Sequence, residues 1–232
     1  LSHHNLLSNL EALRQVLAIE GGDCVLGVLP FSNALGFTAT LWLPAITGFR
    51  ATYAPSASAP GLGGQCRERA VTLLPASPEG IEAVVGTVDA ADLGTLRFAA
   101  VGGGALTEES RRAFIERFGV EPALGYGSPE CAPIVSLNLP DVEHGKSRQV
   151  GTRPGTSGHP LPGVSVRIVD RDSGAVLPPG AEGLLEIRGP NVFSGYVNDP
   201  ERTRQVLVDG WFRTGEAAVL DEYGFLNVRG GV

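Results

Sequence analysis

At 232 residues, 43% hydrophobic and 19% charged, the chain is long enough to bury a sizeable core and has an ordinary globular composition. Its formal net charge of −7, with no basic stripe to compensate it, argues against nucleic acid as a partner. Three widely spaced cysteines (Cys24, Cys66, Cys131) build neither a disulfide framework nor a metal quartet, and they read as free thiols of a reducing, cytoplasmic compartment.

Methionine is absent, including at position 1. The sequence therefore reads as excised from a longer protein, or as one from which modified methionines were left out. No basic-then-apolar export leader opens it. Ser2 is placed to cap a helix with Leu6, Leu10, Leu13, Val16 and Leu17 on its apolar face, ended by Gly21-Gly22. Residues 25–49 carry no charge, a run long enough to span a bilayer. Pro30, Ser32, Asn33, Gly36 and Pro44 interrupt it, so the expectation is a strand over 24–29, a turn, and a short buried helix about 38–43. A strand over 50–53 and an irregular loop over 54–64 follow. Next come a strand over 71–74, a helix over 78–85 and a strand over 96–101 stopped by Gly102-Gly103-Gly104. Thr107 caps a helix over 108–118 with Glu108 and Glu109 in its first turn, where the helix dipole favours acids. Ala123-Leu124 begins one more strand.

After about residue 145 the texture changes to short strands over 164–169, 183–188, 217–220 and 225–228, with one helix about 199–207. The expected fold class is α/β: a layered, mainly parallel sheet with helices, then a small, mainly antiparallel, open barrel-like β subdomain. The expected domains are 1–145 and 146–232.

Four clusters carry chemistry. Gly102-Gly103-Gly104-Ala105-Leu106 lies where a strand gives way to a capped helix, the place where open α/β sheets bind ligands; a plain tight turn is the alternative. Gly125-Tyr126-Gly127-Ser128-Pro129-Glu130 puts an aromatic, a hydroxyl and a carboxylate on one turn. Gly210-Trp211-Phe212-Arg213-Thr214-Gly215-Glu216 ends on a second carboxylate, for which a solvated surface role is the alternative. Leu29-Pro30-Phe31-Ser32-Asn33-Ala34-Leu35-Gly36-Phe37-Thr38 joins a strand to the buried helix. His3, His4, His144 and His159 stand in cap or loop contexts and read as solvated or structural.

These clusters, with Gly195-Tyr196-Val197-Asn198-Asp199-Pro200-Glu201-Arg202-Thr203, resemble the adenylate-forming superfamily of acyl-CoA synthetases, luciferases and peptide-synthetase adenylation domains. The resemblance runs nearly end to end. It implies that Gly103 and Gly104 line one face of an adenine and that Tyr126 stacks on the base, with Gly127 and Ser128 beside the nucleotide. It further implies that Glu130 is a catalytic residue holding Mg²⁺, that Glu216 accepts the ribose hydroxyls, and that Asn33 and Gly36 border an acyl pocket. Three positions depart from the family pattern. Pro129 stands where Thr contacts the α-phosphate and lacks both a hydroxyl and an N–H. Glu216 replaces Asp, and Asn33 replaces a His.

Residues 149–156 and 158–163 are most similar to the branch of acyl-[acyl-carrier-protein] synthetases, often fused to a 2-acylglycerophosphoethanolamine acyltransferase. The implied substrates are ATP, with Mg²⁺, a fatty acid, and acyl carrier protein or CoA. Arg111, Arg112 and Arg117 mark a candidate dock for an acidic carrier, with an ordinary solvated face as the alternative. Membrane association is expected only through other domains of the parent, at the inner membrane face. The family's phosphate loop and its lysine-bearing C-terminal domain fall outside these 232 residues, so the segment alone is expected to be inactive. Two rival readings are a degenerate paralogue that binds an acyl or nucleotide ligand without turnover, and an unrelated α/β binding module.

Overall fold

The structure, a computed structural model, describes residues 1–145 and 147–231. Lys146 and Val232, where the expected segment 146–232 begins and ends, lie outside the described residues. The chain forms two compact units, one of Leu17–Leu124 and one of Leu1–Val16 together with Gly125–Val232.

Helix α1 spans His3–Val16. Ser2 Oγ accepts from the Asn5 N–H at 3.2 Å, the expected cap. The helix stops at Val16, well before Gly21-Gly22, which sits in a later turn. Its buried face holds two asparagines beside Leu10, Ala12 and Leu13. Asn5 Nδ2 donates to the carbonyls of Pro190 (2.7 Å) and Val192 (2.8 Å), and Asn9 Nδ2 donates to Ile134 O (2.6 Å). Buried polar side chains must find partners, and here the partners are backbone more than a hundred residues away.

The unit of Leu17–Leu124 opens with β1 (Cys24–Gly27). A helical run follows: α2 (Ala34–Gly36), a π-helical turn (Phe37–Trp42) and α3 (Leu43–Thr47). The wide turn has a local cause. Pro44 has no N–H to give to Thr40 O, and that carbonyl accepts instead from the Tyr53 hydroxyl at 2.7 Å. Among the described residues no helix is long and apolar enough to cross a membrane. The chain continues through β2 (Arg50–Tyr53), α4 (Leu62–Arg69), β3 (Leu73–Ala76), α5 (Pro78–Thr87), β4 (Phe98–Val101), α6 (Glu108–Phe118) and the start of β5 (Pro122–Gly127). Helix α4 was not expected, since its Gly-rich start reads as loop. Strands β2, β1, β3, β4 and β5 lie in that order, all parallel. Leu26, Leu74, Ile81 and Phe114 are fully enclosed between sheet and helices.

In the other unit the last residues of β5 pair antiparallel with β6 (Ile134–Leu137). Strands β7 (Val142–His144) and β8 (Ser147–Gln149) form a hairpin, and β9 (His159–Pro160) pairs with β6. The side chain of His144 lies outside the described residues. Then come β10 (Ser165–Val169), β11 (Glu182–Arg188), α7 (Pro200–Val206), β12 (Leu207–Val208), β13 (Trp211–Leu220) and β14 (Leu226–Gly231). The order β10-β11-β13-β12, with β14 also on β13, is antiparallel throughout. Leu185, Ile187, Phe193 and Leu226 fill its core. The expected fold class holds: a mainly parallel sheet with helices, and a small antiparallel sheet.

Candidate functional site

In the unit that begins at Gly125, β5 ends in Tyr126-Gly127 and the chain turns at once through a short 3₁₀ turn over Pro129–Cys131. Ser128 precedes that turn in an extended conformation, which lets its hydroxyl donate to Glu130 Oε2 two residues on. The other carboxylate oxygen, Oε1, accepts from the Tyr196 hydroxyl at 2.9 Å. Burial works against the charge on Glu130. The Ser128 hydroxyl, the residue's own N–H, the Tyr196 hydroxyl and the nearby Arg202 outweigh it and hold the carboxyl below the usual range. Glu130 is therefore an ionised, half-buried carboxylate whose side-chain hydrogen-bond partners among the described residues are two neutral hydroxyls.

Glu216 is set by a bulge between β11 and β13. Glu186 pairs with Arg213 and Leu184 with Ala217, so three residues of β13 lie opposite Leu185 alone. Thr214 Oγ1 donates to Leu185 O at 3.0 Å and accepts from the Glu216 N–H at 3.0 Å, while Gly215 takes φ +76°. Turned this way, Glu216 Oε2 accepts the Tyr126 hydroxyl across 90 residues of sequence. Burial, followed by the Glu216 carboxylate, pushes the Tyr126 phenol far above its usual range, so it remains a donor at any physiological pH. The structure thus brings Tyr126 to Glu216 and Ser128 to Glu130. Gly127, exposed, pairs with Ile134. Ser128 directs its proton at Glu130, so it stands in for the hydroxyl missing at Pro129 only by releasing that carboxylate.

The remaining candidates lie in the unit of Leu17–Leu124. Gly103, at φ +84°, and Gly104 are exposed just after β4, and a Cβ on Gly104 would meet the Pro78 ring at 3.3 Å. Asn33 caps α2: its Oδ1 accepts from the N–H groups of Leu35 (2.9 Å) and Gly36 (3.1 Å). Gly36 sits so tightly that a Cβ would lie 2.8 Å from Pro30 O. A cleft of about 380 Å³ beside this segment is lined by Leu29, Pro30, Leu41, Tyr53, Ala54 and Pro55, among others.

Two residues with no expected role emerge, Tyr196 and Thr214. Both lie inside motifs singled out above, but their targets are invisible in sequence. Conversely, the arginines of α6 are occupied. Arg111 pairs with Glu108 and Glu121, Arg112 with Glu108, and Arg117 with Asp89 and Val88 O. All three cysteines are buried and free, as expected. His159 Nδ1 lies 3.1 Å from Gly224 O, a structural role.

Comparison with known proteins bears on the family and the fold. The chain is similar to the medium-chain fatty-acid–CoA ligase of Escherichia coli (32% identical over 236 residues, 99% of this chain and 40% of that protein). It is also similar to the long-chain-fatty-acid–CoA ligase of Bacillus subtilis (29% over 232 residues, 98% and 40%). The chain thus spans about two fifths of the length of these relatives. Apo MatB from Rhodopseudomonas palustris superposes with a TM-score of 0.88 at 27% identity, covering 99% of this chain and 44% of that one; its ATP-bound form gives 0.88 at 26%. The AMP-binding enzyme family matches residues 1–197. Neither an unrelated α/β module nor a chance run of glycines produces that match, and the chain belongs to the AMP-binding enzyme family.

Proposed function

We propose that the chain is the nucleotide- and acyl-binding part of an ATP-dependent fatty acid–thiol ligase. The parent's reaction has two steps. A fatty acid carboxylate oxygen attacks the ATP α-phosphorus and expels pyrophosphate; a thiol sulfur then attacks the acyl carbon and expels AMP. The acceptor is CoA, as in the names of the relatives, or acyl carrier protein, as the similarity of residues 149–163 suggests. One observation carries the reading: the Tyr126–Glu216 hydrogen bond joins the two motifs that one nucleotide would need together. Tyr126 offers its ring to adenine and Glu216 its remaining carboxylate oxygen to ribose; the family resemblance separately assigns Gly103 and Gly104 to the base. Asn33 and Gly36 border the acyl group, and the apolar cleft at Leu29 and Tyr53 supports that assignment.

The donor chemistry at Glu130 fits Mg²⁺. It is an ionised oxygen ligand, and each oxygen keeps a lone pair after accepting one hydroxyl. Glu130 would hold the Mg²⁺, whose chemistry there would be to neutralise charge on the phosphate oxygens. Gly127 and Ser128 lie on the same turn, beside the phosphates in this reading.

Pro129 and the diverted Ser128 hydroxyl favour a second reading, a paralogue that binds without turnover. Charge-assisted hydrogen bonds are worth about 1.5–3 kcal/mol, so a missing α-phosphate contact costs roughly one to two decades in rate. The test is acid-dependent ATP–pyrophosphate exchange by the longer gene product. Pro129→Thr is expected to raise exchange more than Glu216→Asp, and the 232-residue chain alone to show only background. A fast parent slowed by both changes rules out the degenerate reading. Robust exchange by the 232-residue chain itself rules out the assignment of the phosphate-handling groups elsewhere.

A further inference from the structure

The motif over residues 195–203 takes no part in the proposed chemistry, yet hydrogen bonds determine its conformation closely. Three hydrogen bonds tie residues 191–196 to the turn that carries Glu130. Asn191 Nδ2 donates to Cys131 O at 2.8 Å, the Phe193 N–H to Glu130 O at 2.8 Å, and the Tyr196 hydroxyl to Glu130 Oε1 at 2.9 Å. Two of these hold the backbone of the turn, and the third holds the carboxylate itself.

The rest of the motif fixes Tyr196. Gly195 takes φ +139°, and a Cβ there would lie 2.6 Å from the Thr203 side chain, so only glycine fits. Thr203 Oγ1 accepts from the Tyr196 N–H at 2.9 Å and donates to Asp199 O at 2.8 Å. Asp199 in turn caps α7, its Oδ1 accepting from the Arg202 N–H at 3.0 Å. Arg202 places its guanidinium 4.2 Å from the centre of the Tyr196 ring, whose neighbouring face meets Phe193 at 4.9 Å. Gly195, Asp199, Arg202 and Thr203 thus fix the backbone and the ring of Tyr196. Val197, between them, is 90% exposed and touches none of this.

We propose that this segment is a clasp whose output is the orientation of the Glu130 carboxylate, with Tyr196 as its positioning residue. Without the Tyr196 hydroxyl, Oε1 loses the hydroxyl donor that holds it and the side chain gains freedom to rotate about the Ser128 contact. Outer partners of ligating groups of this kind change metal affinity about 10–100-fold. The metal part of the inference rests on the reading of Glu130 given above; the positioning part does not.

The test uses Tyr196→Phe, which removes one oxygen and keeps the ring between Phe193 and Arg202, with Val197→Ser as control. Crystal structures of the chain and both variants are expected to show Glu130 rotated away in Tyr196→Phe alone. An unchanged Glu130 carboxylate in Tyr196→Phe overturns the clasp. In parallel, Mn²⁺ binding is measured by electron paramagnetic resonance with saturating ATP in the longer gene product. Affinity is expected to fall about tenfold or more in Tyr196→Phe, with metal-free ATP affinity unchanged. An equal loss of both affinities overturns the positioning role in favour of general damage. A parent that binds no Mn²⁺ while Glu130 still rotates in the crystal overturns the metal reading and sustains the clasp.

Discussion

The buried acids Asp23 and Glu186, one in each unit, and the half-buried acids Glu130 and Glu216 are held in opposite ways. In the unit of Leu17–Leu124, Asp23 is 3% exposed and meets Arg97 through two hydrogen bonds of 2.5 and 2.9 Å, with further donors in Thr72 Oγ1 (2.7 Å) and the Glu20 N–H (2.8 Å). In the unit from Gly125, Glu130 and Glu216 take their side-chain hydrogen bonds from neutral hydroxyls, and among the described residues neither forms an ion pair. Glu186, in that second unit, behaves like Asp23: it is 3% exposed and bridges Arg167 (2.6 Å) and Arg213 (3.0 Å). An acid whose charge is cancelled by arginine has nothing left to offer a ligand, and its job is to hold strands. An acid held by neutral hydroxyls has no cationic side chain paired with its carboxylate. Burial and partner charge run together here: Asp23 and Glu186 are buried and paired with arginine, while Glu130 and Glu216 are half-buried and held by hydroxyls.

That contrast breaks first at Asp23. Asp23→Ala removes the acceptor of the Arg97 guanidinium, the Thr72 hydroxyl and the Glu20 N–H, and is expected to destabilise its unit by about 3 kcal/mol. Urea unfolding followed by Trp42 fluorescence in a Trp211→Phe background reads this unit directly; a loss under about 1 kcal/mol would place Asp23 with the surface ion pairs.

Acid titration comes next. Burial opposes the charge on Asp23, but Arg97, the Glu20 N–H and Thr72 outweigh it and hold the carboxyl at about 2. Its folded value lies below its unfolded one, so the stabilisation is complete above about pH 4 and is lost as pH falls towards 2. Nearly two pH units correspond to about 2 kcal/mol. The Trp42 transition is expected to weaken over that window, and Asp23→Asn to remove the dependence. A wild-type transition with the same midpoint at pH 4.5 and 2.5 contradicts the pairing.

The smallest effect on stability, and the sharpest on binding, is expected at Glu130. Glu130→Gln keeps the shape and loses the charge, so unfolding followed by Trp211 is expected to shift by less than about 1 kcal/mol. Mn²⁺ affinity in the presence of ATP, by contrast, is expected to fall at least about tenfold in the longer gene product. A large loss of stability with unaltered metal affinity would move Glu130 into the class of Asp23 and Glu186.

Local sequence determined whatever depends on neighbours a few residues apart. Helix α6 spans Glu108–Phe118 as read, because the Thr107 cap and Gly119 bound it and its acids and Arg117 suit its two ends. The alternation of strands and helices announced a parallel sheet, and the Gly- and Pro-punctuated later strands announced an antiparallel one. The motifs at 125–130 and 210–216 were legible as a resemblance to the adenylate-forming superfamily, and their shared nucleotide is a proposal. Tertiary structure decided the rest. Nothing near Glu216 says that its extra methylene carries it to the Tyr126 hydroxyl 90 residues away. Nor does Tyr196 reveal locally that its hydroxyl holds Glu130, 66 residues upstream. Asn5 and Asn9 read as polar interruptions of an apolar helix face, until backbone carbonyls at Ile134, Pro190 and Val192 supply their partners. Caps and turns are settled within a few residues by the backbone's own geometry, whereas a buried polar atom takes its partner from whichever strand the whole chain packs against it.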